Sequence, residues 1–368
     1  MKVRHRAIYS AGPRPEGATA LTLETSTSRA VANRPAEAGG ERSRPSLRDF
    51  WHPVATSEAV GTAPLGVRLL EQDVVVFRDE GGAVHAWRDI CVHRGTRLSL
   101  GRVANGRLVC AYHGWEYACE TGSCVHIPSL AEGAPIPARA RAETYRAMEV
   151  DGLVWVALGD PVVGVESVVP DDGAEWRRLV IAGGTPWGAS AGRAAENSFD
   201  MTHTPFVHPG LLFDDCRPPE IELTELPFGF RADYAGAMNI GPEKVFVRKH
   251  LTVQLPFMND IWARHDESGS GYAARIAASP VSPTECRMFV VNIRNYELEP
   301  ERDPAFHAFS ETVLLQDQEM VESQRPEELP LQLRDELHLK VPDRLAVLYR
   351  RRLAQLDDDD LTRYKLVD

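Results

Sequence analysis

Two short segments, Cys91-Val-His93 and Cys110-Ala-Tyr-His113, constrain this 368-residue chain more than any other feature. Sixteen residues separate them, and each offers one thiolate and one imidazole. The text around them reads as short strands. Val74-Val75-Val76-Phe77 is an apolar run closed by the hairpin signal Asp79-Glu80-Gly81-Gly82, and Leu108–Tyr112 and Leu153–Leu158 are further runs. The four donors therefore sit in two loops of a β framework. Tetrahedral zinc accepts two Cys and two His, but the usual finger pairs its histidines on a helix. One Cys and one His from each of two loops suits a [2Fe–2S] centre, with two cysteines on one iron and two histidines on the other.

Six cysteines in a chain of this length are too few for a disulfide framework. Cys119 and Cys124, spaced C-x4-C, leave open a second metal site or a disulfide, but in a reducing compartment they read as buried thiols. Cys216 and Cys286 read as core thiols. The 43% hydrophobic content supports a sizeable core in two domains, and the formal net charge of −12 argues against nucleic-acid binding. No run reaches the roughly 18 apolar residues of a membrane span. Residues 1–46 hold eight basic and four acidic side chains without the apolar core of a secretory signal. They read as a flexible arm on a cytoplasmic protein.

Residues 47–160 then form an all-β module, and Pro161–Gly173 is a linker opening the second domain, 161–368. That domain reads as α+β with an antiparallel sheet. Helices are expected over Gly192–Pro205, Pro304–Gln324 and Asp343–Leu356, the last with Leu345, Leu348, Tyr349, Leu353 and Leu356 on one face. Strands are expected around Val245–Phe257, Tyr272–Ala278 and Arg287–Asn295. The Asp357–Asp360 run reads as a solvated tail.

A second constellation opens this domain: Asn197-x-x-Asp200-x-x-His203-x4-His208. With Pro205 loosening the helix, both histidines can turn toward one point. Two histidines and a carboxylate leave open positions on Fe(II) for O₂ and substrate. Two histidines five apart are equally at home in a core, so the third ligand matters. Steps of about 100° along Pro304–Gln324 bring Phe306, Val313, Asp317, Met320 and Gln324 onto one face. A carboxylate among apolar neighbours is costly. A buried ion pair or a helix cap accounts for Asp317 too, but two waiting histidines favour a ligand.

In Cys91-Val-His93-Arg-Gly and Cys110-Ala-Tyr-His113-Gly-Trp the chain resembles the Rieske domain, over roughly Phe50–Leu158. Thr96 and Tyr112 stand where the respiratory branch has a disulfide-forming cysteine pair, and Trp115 replaces a serine that hydrogen-bonds a cluster sulfur. Fewer such bonds imply a low potential. With the second constellation and Asp317-x4-Glu322-x-Gln324, the resemblance extends to the Rieske non-haem iron oxygenases. It implies a helix-grip-like catalytic domain. The spacing of three between Asn197 and Asp200 looks more like the group that includes aromatic O-demethylases than the naphthalene type, which has four.

The resemblance implies that Cys91, His93, Cys110 and His113 hold the [2Fe–2S] cluster, and that His203, His208 and Asp317 hold a mononuclear Fe(II). Asn197 would sit beside the iron. Asp200 would bridge a cluster histidine of one subunit to an iron-ligating histidine of the next, in a head-to-tail homotrimer. Electrons would come from NAD(P)H through a separate reductase or ferredoxin, since the chain shows no glycine-rich nucleotide fingerprint. The implied reaction is hydroxylation or oxidative demethylation of a small aromatic or ring-containing molecule with O₂. Three alternatives remain at this point: a cis-dihydroxylating α subunit, an electron-transfer Rieske protein, and a zinc Cys₂His₂ module.

Overall fold

The computed structural model of the chain describes residues 44–212, 217–240 and 243–356, with backbone alone for 237–240, 243 and 244. The basic arm, Cys216 and the Asp357–Asp360 run lie outside the described residues.

Ten strands build the first half. They are β1 (His52–Thr56), β2 (Leu65–Leu69), β3 (Gln72–Arg78), β4 (Val84–Arg88), β5 (Arg102–Ala104), β6 (Arg107–Val109), β7 (Glu116–Ala118), β8 (Cys124–His126), β9 (Thr144–Val150) and β10 (Leu153–Ala157). A six-stranded sheet runs in the order β1-β10-β9-β4-β3-β2, and β5 to β8 form a four-stranded meander. The apolar run in β3 is buried on both faces. Val74 and Val76 pack toward Val154 and Val156, while Val75 and Phe77 pack toward Trp87, Cys91, Cys110 and Tyr117. Side chains alternate along a strand, so one four-residue run serves two cores. Arg78 pairs with Val84, which places the expected hairpin at Asp79–Ala83. The expected strand over Leu108–Tyr112 is shorter than anticipated. It ends at Val109, because Cys110 already opens a loop.

The second half holds a seven-stranded antiparallel sheet. Its members are β11 (Arg177–Trp187), β12 (Glu222–Leu226), β13 (Gly229–Ile240), β14 (Glu243–Gln254), β15 (Met258–Arg264), β16 (Gly271–Ser282) and β17 (Glu285–Arg294), in the order β11-β17-β16-β15-β14-β13-β12. Four helices accompany it: α1 (Ala191–Phe199), α2 (Thr204–Val207), α3 (Asp303–Ser323) and α4 (Arg344–Leu353). Strand β11 was hidden in sequence by Gly183-Gly184 and Pro186. The sheet absorbs them with register shifts at Val180/Ala182 and Gly183/Thr185.

The helix expected over Gly192–Pro205 is broken. α1 stops at Phe199, and Asp200 is extended with φ −67° and ψ 127°. Its Oδ1 accepts hydrogen bonds from the Thr202 amide and hydroxyl, both 2.8 Å, a local closure that competes with helix. Pro205 then sits in the first turn of α2, where a missing N–H costs nothing. Pro205 starts a helix here; it does not loosen one.

A buried ion cluster joins the two halves. Asp151, in the β9–β10 turn, accepts from Arg275 Nη1 of β16 at 2.9 Å, and Arg275 also forks onto both oxygens of Asp260 at 2.8 Å. Asp151 takes the Val168 amide (2.9 Å) and the Ser167 hydroxyl (2.6 Å) as well. Leu47 and Phe50 pack against the core of the second half, with Trp187, Phe199, Phe230 and Tyr349. Among the described residues, no helix is long and apolar enough to cross a membrane.

Candidate active site

The two Cys/His segments form matching loops despite unequal spacing. The Cys91 amide donates to the Thr96 carbonyl (2.7 Å), and the Gly95 amide returns to the Cys91 carbonyl (2.9 Å). In the second loop the Cys110 amide donates to the Trp115 carbonyl (2.9 Å), and the Gly114 amide returns to the Cys110 carbonyl (3.1 Å). Gly95 and Gly114 stand at φ +71° and +68°, the left-handed region that glycine enters without strain. The sulfurs of Cys91 and Cys110 are buried, while His93 is half-buried and His113 is exposed. The two imidazole rings lie 4.5 Å apart between centroids.

Three features fit these loops to a cluster. The Cys91 and Cys110 thiols neighbour each other, as do the two imidazoles, and burial pushes the Cys110 thiol up. His93 Nδ1 is buried with no hydrogen-bond partner among the described residues. A buried ring nitrogen without a protein partner, on a ring close to a second imidazole, fits a metal ligand. Trp115 stacks on His93 at 4.6 Å and holds its ring plane. Tyr117 Oη lies 3.1 Å from Cys91 Sγ. With Trp115 in place of the serine, this phenol is a side-chain hydroxyl within hydrogen-bond reach of Cys91 Sγ among the described residues.

The second constellation also assembles. His203 caps the N-terminus of α2 and His208 its C-terminus, so four helical residues set their separation. Asp317 approaches from α3. Its Oδ1 lies 3.0 Å from His208 Nε2 and 3.4 Å from His203 Nε2, and one donor atom from each of the three residues lies within 4.8 Å of the others. Behind them, Asp200 Oδ2 is 3.3 Å from His203 Nδ1, and Gln316 Oε1 is 2.8 Å from His208 Nδ1. Each histidine thus has its outer nitrogen oriented and its inner nitrogen turned to a common point. Burial would raise the Asp317 carboxyl, but hydrogen bonds from His203, His208 and Asn197 hold it at about 2. Burial would lower His203, but Asp200 and Asp317 raise it to about 9. Two imidazoles and one carboxylate with an open side fit a non-haem iron.

The helical face drawn through α3 needs one correction. Phe306, Val313 and Asp317 do turn inward, but Met320 is 43% exposed and Val321 is the buried residue of the last turn. The helix curves its contact line toward Leu314, Asp317 and Val321, a rotation that side-chain steps alone do not reveal. Glu322 accepts from the Gly188 amide and from Gln318, both 2.8 Å, and Gln324 caps the helix end. Both are structural. His307 is exposed beside Glu311, away from the triad. Cys119, Cys124 and Cys286 are buried and free.

A cavity of about 1050 Å³ opens beside the triad. Asn197, Asp200, His203, His208 and Asp317 line one end of it. Phe246, Lys249 and Leu251 from β14, and Leu212, Arg217, Pro218 and Pro219 from the connection after α2, form further parts of its wall. Sequence reasoning missed Gln316, Tyr117 and Lys249. Gln316 borders Asp317 and was within reach of the same helical reasoning; the other two depend on cross-strand neighbours that spacing does not show.

Comparison with known proteins gives a consistent result. Residues 50–146 match the Rieske [2Fe-2S] domain, and residues 187–359 match the vanillate O-demethylase oxygenase C-terminal domain. Methylxanthine N1-demethylase NdmA of Pseudomonas putida is 32% identical over 326 residues, covering 86% of this chain and 90% of that protein. Methylxanthine N3-demethylase NdmB of the same organism is 31% identical over 300 residues, 77% and 83% of the two chains. The solved structure of NdmA with caffeine superposes with a TM-score of 0.73 at 30% identity, over 84% of this chain and 90% of that one.

Proposed function

Because this chain belongs to the Rieske non-haem iron oxygenases, we propose that it removes a methyl group oxidatively from a ring-bound nitrogen or oxygen. It is an oxidoreductase that uses O₂, with a [2Fe–2S] cluster, a mononuclear iron and electrons drawn from NAD(P)H through a separate reductase. The observation that carries the reading is the convergence of His203, His208 and Asp317 at one end of a largely apolar cavity. In this reading those three residues hold the iron, and Cys91, His93, Cys110 and His113 hold the cluster. The domain boundaries follow the same division, with cluster loops in 47–160 and the iron triad in 161–368. When bound, the two groups together supply single electrons and activated oxygen for insertion into a C–H bond; on a methyl borne by nitrogen or oxygen, the hydroxylated carbon leaves as formaldehyde.

The chain's own residues do the rest. Asp200 and Gln316 orient the two histidines, and Asn197 donates to Asp317 so that its carboxylate stays charged. Leu251, Ile261, Ile276, Met288 and Val290 line the cavity and keep bulk water from the reacting carbon. A head-to-tail homotrimer belongs to the reading. The apolar Val92 and Tyr112 beside the cluster loops are 44% and 60% exposed, and Phe206 beside His203 is 75% exposed. Asp200, itself 37% exposed, then becomes the link between one subunit's iron site and its neighbour's cluster. A cytoplasmic location agrees with Cys119, Cys124 and Cys286, which form no disulfide.

The test couples the purified protein to a surrogate reductase with a panel of N-methyl and O-methyl ring compounds. Substrate-dependent NADH oxidation with formaldehyde release, and a product lighter by one methylene, supports demethylation. A product heavier by two hydroxyl groups would replace it with dihydroxylation. Asp317→Ala is expected to abolish turnover and mononuclear iron while the cluster's visible spectrum persists; unchanged iron content per chain would remove the ligand assignment.

A further inference from the structure

The cavity wall has an uneven distribution of charge. Among the described residues, the acidic side chains on its lining are Asp200 and Asp317, engaged with His203 and His208. Among the described residues, the basic side chains on its lining are Lys249 and Arg217. Lys249 projects from the middle of β14, only 6% exposed, and its alkyl chain and ammonium run across Gly236 of the paired strand β13, within 3.6–3.9 Å of where a Cβ would stand. Its neighbours two residues away on the same face, Val247 and Leu251, are 4% and 1% exposed and apolar. Packing at position 249 would thus be met by an aliphatic residue. Even with a partner, an ammonium there costs desolvation energy that an apolar side chain would not.

We propose that Lys249 is a specificity-determining residue that binds an acidic group, such as a carboxylate or an ionised ring oxygen or nitrogen, on the substrate. The inference rests on the reading of the cavity as the substrate site and narrows its substrate class. An ammonium carries three N–H donors, so it can accept an anion while keeping other contacts. Burial lowers Lys249 to about 7, and an anion brought against it restores the charged form. Neutral ring compounds gain nothing from that exchange, which is how a cavity lined mainly by aliphatic groups would tell acids from their neutral isosteres.

Two isosteric pairs test this on the holoenzyme: 3-methoxybenzoate against 3-methoxybenzamide, and 6-methoxy-2-naphthoate against 6-methoxy-2-naphthamide. Dissociation constants are measured by calorimetry for wild type, Lys249→Met and Lys249→Arg. In wild type, at least one acid is expected to bind tenfold or more tightly than its amide. Lys249→Met should bring that ratio to about one with amide binding kept, and Lys249→Arg should keep the preference. Equal affinities within both pairs, no binding of either acid at millimolar concentration, or a preference that survives Lys249→Met overturns the proposal. Iron analysis of the same samples separates this outcome from failure of the iron assignment, because the preference is read as binding and needs no turnover.

Discussion

Asp200 Oδ2 lies 3.3 Å from His203 Nδ1, on the side of the imidazole opposite Asp317. The carboxylate is held by a second set of bonds, from the Thr202 amide and hydroxyl, so its position does not depend on the histidine it orients. Asp200→Asn should preserve those local bonds while removing the charge behind His203. Turnover is expected to fall by about 10- to 100-fold, the usual cost of losing a residue that orients a metal-bound histidine. Iron content and cluster spectrum should stay near wild type. Full activity in this variant would leave Asp200 as a turn-former only.

Tyr117 Oη lies 3.1 Å from Cys91 Sγ, so with a cluster held by Cys91 the phenol would donate to that sulfur and favour the more negative, reduced state. Burial and the thiolate pull in the same direction, keeping the phenol protonated and able to donate. Tyr117→Phe removes one hydrogen bond of about 1 kcal/mol. For a one-electron couple that is a drop of about 40 mV in reduction potential. A redox titration followed by visible circular dichroism measures it; an unchanged potential would show that the phenol donates elsewhere.

Asp151 and Arg275 meet at 2.9 Å with both side chains almost wholly buried. Asp151→Ala would leave Arg275 hydrogen-bonded to Asp260 alone among the described residues and would strand the Val168 amide and Ser167 hydroxyl. Breaking a buried pair from one side costs about 3–5 kcal/mol. Thermal unfolding should show a clear fall in Tm. Because the pair ties the first half of the chain to the second, the two halves should also cease to melt as one transition.

His52 is buried, and its Nε2 donates to the Leu47 carbonyl at 2.9 Å. Burial outweighs that bond and lowers the imidazole from 6.5 to about 4. In the unfolded chain the ring takes up a proton near 6.5, whereas the folded chain resists until about 4. Stability is therefore complete above pH 6.5 and is lost as the pH falls toward 4, by about 3 kcal/mol in all. His52→Gln should flatten this part of the pH profile in denaturant titrations. A profile as steep as wild type would assign the acid sensitivity to other groups.

Much of the candidate site was legible in the sequence because the residues proposed as metal ligands are scarce types at short spacings. Cys91, His93, Cys110 and His113 identify their loops without any knowledge of the sheet, and His203 and His208 lie close enough in sequence for local geometry to bring them together. Asp317 was reachable because one helix turns a carboxylate toward apolar company. The limits follow from the same cause. Helix α1 ends at Phe199 because the side chain of Asp200 closes on Thr202, a choice between two local hydrogen-bond schemes that composition does not decide. Strand β11 survives Gly183, Gly184 and Pro186 only because β17 supplies a partner across two register shifts. Gln316 on His208, Tyr117 on Cys91 and Lys249 in the cavity wall are set by pairings of residues tens to a hundred positions apart. The chain by itself determined which chemistry it could hold, because donor atoms are written residue by residue. The tertiary structure alone decided which side chains orient those donors and what a substrate meets beside them, because both depend on strand register and helix rotation.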